Sequence, residues 1–159
     1  MNHLQINNLE FAKNNQALSG NLEVSDTPRL NAAIIPSDKE IANICYKLVG
    51  SMKAMNTPAL DLFVEAHLPT QCQRCLGEMT LHLALNFTYL IGEINLDDDE
   101  DDAVDWLEAS KEMDLAELIE DELLLAMPIA PMHETECHAE KMQSGETTNP
   151  FAVLKGRFK

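Results

Sequence analysis

The sequence predicts an α+β domain: an antiparallel sheet built around a hairpin and covered by one main C-terminal helix. Two alternating runs carry that reading. Over 59–68, Leu60, Leu62, Val64, Ala66 and Leu68 share a face against Asp61, Phe63, Glu65 and His67. Over 80–91, Leu81, Leu83, Leu85, Phe87, Tyr89 and Ile91 oppose Thr80, His82, Ala84, Asn86 and Thr88. A period of two marks a strand with one face on a core. The stretch Cys72-Gln73-Arg74-Cys75-Leu76-Gly77 between the runs is short enough for a hairpin turn, and its glycine lets the chain fold back. The covering helix comes from 114–127, where Leu115, Leu118, Ile119, Leu123 and Ala126 fall on one stripe at about 100° per residue.

The remaining elements follow in chain order. Residues 17–24 form a weak strand, and Pro28 and Pro36 lie in polar surroundings that read as loops. Over 41–49, Ala42, Ile44, Tyr46 and Leu48 alternate with Asn43, Cys45 and Lys47, a third strand in which the lone Cys45 reads as a small packing residue. His67 and His82 fall on polar faces and take no role beyond surface or edge positions. The acids at 97–102 repel one another and stay extended; they lack the glycine and the distant glutamate of a Ca²⁺ loop. Residues 103–107 form a short edge strand with Trp106 against the core. Asp114 caps the helix, Glu117 completes a capping box, and Pro128 ends it. Glu122 falls inside the apolar stripe, so its carboxylate either reaches water or pairs with a cation, for which Arg74 on the thiol turn is the candidate. Residues 129–133 are extended and 134–148 polar and mobile. The tail at 149–159, with Pro150 at a first helical position, turns from apolar to basic and reads as a docking segment for its own domain or a partner. The division is an α+β domain at 1–132 and a polar segment with an apolar, basic tail at 133–159.

Composition sets the functional limits. The chain has 159 residues, 45% of them hydrophobic, enough for one domain with a real core. No apolar run approaches the roughly 18 residues of a membrane span, and no basic stretch precedes an apolar one at the start, so the expectation is a cytoplasmic protein with reduced thiols. The net charge is −16, and 93–122 alone holds 15 acids against one base, Lys111. Such a surface disfavours a phosphate backbone and suits either simple solvation or a basic partner. Direct RNA binding is expected to be weak or confined to the tail, where Lys155, Arg157 and Lys159 lie. No Gly-rich phosphate loop, no Gly-x-Ser-x-Gly turn and no carboxylate pair with separated roles is present, so the expectation is a non-enzyme.

The chemistry-bearing residues are sulfur and imidazole. Cys72 and Cys75 have the two-residue spacing of a zinc knuckle, Cys137 offers a third thiolate, and His133 or His138 the fourth ligand of a structural zinc site. A reduced, metal-free cluster is the plain alternative. Thiol–disulfide exchange is the other, but it normally places the pair at a helix start within a βαβ unit, and here strands flank it.

Three landmarks stand together: Cys72-Gln73-Arg74-Cys75; Asp114-Leu115 through Glu120-Asp121-Glu122-Leu123 to Ala126-Met127-Pro128; and Asn149-Pro150-Phe151-Ala152-Val153-Leu154. In order and spacing they resemble the YceD family, the large ribosomal RNA subunit accumulation proteins, from roughly residue 40 to the end. The resemblance implies a cytoplasmic, non-enzymatic factor that supports accumulation or maturation of large-subunit (23S) ribosomal RNA. It brings no catalytic residue. Combined with the charge, it implies an acidic adaptor whose partner is a ribosomal protein, an assembly factor or a processing enzyme. A thiol–disulfide oxidoreductase or an RNA-processing nuclease is the rival reading.

Overall fold

The computed structural model describes residues 4–35, 41–92 and 105–138. The acidic run at 97–102, Pro36, and the tail at 149–159 lie outside these residues. Among the described residues the chain runs β1 (Gln5–Ile6), α1 (Asn8–Lys13), β2 (Ala17–Leu22), α2 (Pro28–Ala33), β3 (Asn43–Met52), β4 (Pro58–Gln71), β5 (Glu78–Ile91), β6 (Asp105–Leu107), β7 (Met113–Asp114) and α3 (Leu115–Ala126). The main sheet has the order β2-β3-β4-β5-β6, antiparallel except for the parallel β5–β6 pair. β1 and β7 form a separate two-stranded ribbon. The expected α+β architecture is what the structure shows: a sheet centred on the β4–β5 hairpin, with α3 on its apolar face.

That hairpin is the spine of the molecule. β4 and β5 stay in register from Ala59↔Leu90 to Gln71↔Glu78, with the thiol turn at the closed end. The alternation in the sequence sorts the faces as expected. Ile44 and Leu48 of β3, Leu60, Leu62 and Leu68 of β4, and Leu115, Ile119 and Leu123 of α3 are fully buried in one cluster. Each buried leucine or isoleucine contributes roughly 1.5–3 kcal/mol of transfer free energy. Pro69 is tolerated in β4 because it lies past Asn43, where β3 has ended.

The first forty residues depart from expectation. Ala17–Leu22 is a strand, but Pro28 opens a helix instead of a loop, its fixed φ suiting the first helical position. α2 lacks a side-chain cap of its own: Thr27 makes no capping bond. The buried Glu120 of α3 replaces it. Its Oε1 accepts from the backbone N–H groups of Arg29 (2.7 Å) and Leu30 (3.0 Å), and its Oε2 accepts from Arg29 Nε (2.9 Å). Asp121 takes the same guanidinium at 2.6 Å. A carboxylate 91 residues away in sequence thus satisfies the first turn of α2.

α1 is also absent from the sequence reading. Asn7 caps it, accepting from Glu10 N–H, and Phe11 and Ala12 bury against β3. The close approach requires Gly50: a Cβ there would stand 2.8 Å from Ala12 Cα and closer still to the Phe11 carbonyl oxygen. The buried Asn8 ties α1 to the chain before β7, donating to the Glu108 carbonyl and accepting from Ser110 N–H, both at 2.9 Å.

Cys45 lies where the alternation put it, half-buried on the outer sheet face beside Asn43. Two further expectations are corrected. Trp106 is 39% exposed and lies across Gly92 rather than in the core, because β6 is a three-residue edge strand. Glu122 does not pair with Arg74; it accepts a 2.7 Å bond from the Tyr89 hydroxyl, while Arg74 is engaged at the thiol turn. The tyrosine at the far end of β5 reaches α3 first, and burial, reinforced by that carboxylate, raises the Tyr89 pKa.

Candidate metal centre

The β4–β5 turn is built to aim donors at sulfur. Cys72 N–H donates to the Gly77 carbonyl (2.9 Å) and Leu76 N–H to the Cys72 carbonyl (2.9 Å), closing the loop. The left-handed residue is Leu76, at φ 60°, and not Gly77, where the sequence reading put the reversal. Within this loop Arg74 N–H points at Cys72 Sγ and Gly77 N–H at Cys75 Sγ, each at 3.4 Å. The two sulfurs therefore share one side of the turn, each accepting from the amide two residues on.

α3 ends at Pro128, whose predecessor Met127 is extended, and the chain after it returns to the turn. Gln73 N–H donates to the Pro131 carbonyl at 2.8 Å. Arg74 then clamps the returning segment with three bonds: to Cys137 Sγ (3.0 Å), to the His133 carbonyl (3.0 Å) and to the Thr135 carbonyl (2.6 Å). Residues 134–138, expected to be mobile, are held here.

The clamp brings Cys72, Cys75, Cys137 and His133 together with all four donor atoms within 4.8 Å of one another. Cys72 Sγ and Cys137 Sγ are 3.6 Å apart, and Cys75 Sγ is 3.4 Å from His133 Nδ1. A tetrahedral zinc ion with Zn–S of about 2.3 Å and Zn–N of about 2.0 Å requires edges of about 3.8 Å (S···S) and about 3.5 Å (S···N). The donor set and its spacing fit a Cys₃His site. His133 Nε2 faces the Glu78 carbonyl at 3.2 Å. A carbonyl only accepts, so that nitrogen carries the ring proton and Nδ1 turns its lone pair toward the sulfurs, the outer-sphere arrangement of metal-bound histidines. His138 is exposed and stands outside the group.

The electrostatics favour anionic sulfur. Burial opposes ionisation of Cys72, yet the N–H groups of Cys75, His133 and Arg74 bring its thiol down to about 5. Burial likewise opposes Cys137, and Arg74 and His133 overcome it. Cys75 goes the other way: the Gly77 N–H favours its thiolate, but burial and the two neighbouring sulfurs outweigh it. Cys137, with Cys72, raises the His133 pKa against burial, which lowers it. Like charges at this spacing repel, and one divalent cation at the centre would neutralise them. The pair lies on a strand–turn–strand, with no helix N-terminus to activate it for disulfide exchange.

Among the described residues no helix is long and apolar enough to cross a membrane. The family described as large ribosomal RNA subunit accumulation protein YceD matches residues 60–156, which takes in the hairpin, all four cluster residues and α3. A relative from Haemophilus influenzae, named large ribosomal RNA subunit accumulation protein YceD, is 32% identical over 104 residues, or 57% of this chain and 60% of its own length. The alignment thus spans three fifths of that relative. No solved structure matches the chain. With more than half of its length matched, and the thiol hairpin and capped helix inside the match, the chain belongs to the YceD family.

Proposed function

We propose that this protein supports the accumulation of large-subunit (23S) ribosomal RNA as a non-enzymatic, acidic adaptor whose hairpin tip is locked by structural zinc. The family match over residues 60–156 carries the ribosomal part. The convergence of Cys72, Cys75, Cys137 and His133 supports the zinc part. In this reading the ion supplies folding energy and no chemistry: three thiolates and an imidazole fill a tetrahedral shell and leave no open position for water or substrate. Arg74 offsets the surplus negative charge of three thiolates on one dication.

The charge supports the adaptor role. A chain at net −16 repels phosphate backbones and attracts basic proteins, so the partner is a ribosomal protein, an assembly factor or a processing enzyme of the large subunit. Weak contact with RNA falls to the basic tail at 149–159. The site of action is the cytoplasm.

The test is complementation. Cells lacking the gene are expected to show a reduced ratio of 23S to 16S RNA, restored by the intact protein and not by a Cys72→Ser/Cys75→Ser variant. An unchanged ratio in the deletion strain defeats the ribosomal reading. Full restoration by the cysteine variant defeats the zinc part alone. Purified protein that cleaves precursor ribosomal RNA unaided defeats the adaptor reading.

A further inference from the structure

The outer face of the hairpin brings two imidazoles and a carboxylate together, away from the thiols. His67 of β4 and His82 of β5 are direct cross-strand partners. Their ring centres are 4.4 Å apart and their planes meet at 78°. Glu65, two residues back on the same face of β4, places Oε1 3.6 Å from His67 Nε2. Asn43 is the register partner of His67 on β3. The imidazoles border an open cleft of about 330 Å³ lined by Ile41, Asn43, His67, Thr80 and His82.

We propose that His67 and His82, assisted by Glu65, form a surface site for an imidazole-preferring divalent transition-metal ion. Two imidazole nitrogens bound to one ion at about 2.0–2.1 Å stand roughly 3 Å apart. Ring centres 4.4 Å apart leave that separation within reach of side-chain rotation. The scaffold is rigid: the pair lies inside the longest antiparallel ladder of the fold, so little entropy is lost in bringing the two ligands together. Neutral imidazole with one carboxylate suits Ni²⁺, Cu²⁺ or Zn²⁺ and not Ca²⁺ or Mg²⁺, which take oxygen shells. His67 and Glu65 keep 43% and 68% of their side-chain surface, leaving the remaining coordination positions open to water or to a donor from a partner. This distinguishes the site from the closed thiol set at the hairpin tip, and it stands whether or not that set holds zinc.

The probe is Ni²⁺, which does not oxidise thiols, added to the full chain whose Cys72/Cys75/Cys137/His133 set has first been filled with one equivalent of Zn²⁺, in a His3→Ala background that takes that imidazole out of competition. Ring-proton resonances of His67 and His82 are expected to broaden first and together, with those of His133 unaffected, and calorimetry should show one equivalent bound. His67→Ala or His82→Ala should weaken that equivalent about tenfold or more, and the double variant should abolish it. Both positions face outward, so an unchanged thermal midpoint confirms that the variants fold. Ni²⁺ affinity unchanged in the double variant, broadening of His133 alone, or binding confined to the acidic run at 97–102 would overturn the site.

Discussion

Two of the places that tie the C-terminal third of the chain back to the rest are completed differently. At the start of α2, Glu120 closes on Arg29 and Leu30; at the hairpin tip, Cys137 and His133 close on Cys72 and Cys75. Both put an anionic acceptor against backbone N–H groups. Glu120 finds its cation within the chain, since Arg29 is bound in two places by its carboxylate. The thiol cluster has three potential anions against Arg74 and one imidazole. A buried carboxylate that finds both its N–H donors and its cation inside the chain is a finished piece of structure. Three thiols and an imidazole at tetrahedral spacing are a set that can take a component from outside the chain.

That contrast can be broken most severely at the tip. Treatment with a strong chelator, or Cys72→Ser, is expected to release one zinc per chain and free residues 131–138. Amide exchange at Gln73 and Leu76 should then accelerate by about a hundredfold while the β3–β4 ladder stays protected. Unchanged exchange would show that Arg74 alone holds the segment. At the other centre no metal should matter. Glu120→Ala leaves the Arg29 and Leu30 N–H groups without their acceptor, and urea unfolding should report a loss of about 2–4 kcal/mol, insensitive to chelator.

A third, milder test sharpens the internally balanced class. Asp61 accepts from the Thr88 hydroxyl (2.7 Å) and from Lys53 Nζ (3.0 Å). Partial burial opposes its ionisation, but those bonds prevail and lower its pKa below the ordinary 3.8. The unfolded chain therefore binds the proton more readily. The stabilisation is fully present above about pH 4 and is lost as pH falls through the lowered folded value. Asp61→Asn should flatten the acid limb of the stability curve by less than about 1 kcal/mol, the scale of a partly exposed pair. Loss of the same size at pH 7 and pH 3 would show that packing, not charge, holds Asp61.

How much of this could be read in advance depended on range. The β3, β4 and β5 strands and α3 announce themselves because burial of one face imposes a local period, and the period is written in neighbouring residues. The thiol pair was legible for the same reason, and Cys137 with His133 followed because metal chemistry narrows the choice of partners. α1 and α2 were not legible. Each has six residues, too short for a period to show. What makes them helices lies elsewhere: a glycine on β3 that admits Phe11 and Ala12, and a glutamate on α3 that stands in for a missing cap. The mistaken Arg74–Glu122 pair has the same origin. Glu122 was read as reaching water or a cation, with Arg74 the candidate, but nothing local says that Tyr89 reaches Glu122 and that Cys137 engages Arg74.

The borrowed cap on α2 has a consequence for synthesis. A ribosome delivers residues in order, at roughly 5–20 per second, so the segment at 28–33 emerges long before the glutamate that steadies it. Until α3 has cleared the exit tunnel and settled on the sheet, α1 has its own cap in Asn7 but α2 has none. Completion of α2 is therefore deferred until α3 is made, the slow route that contacts between distant parts of a chain impose.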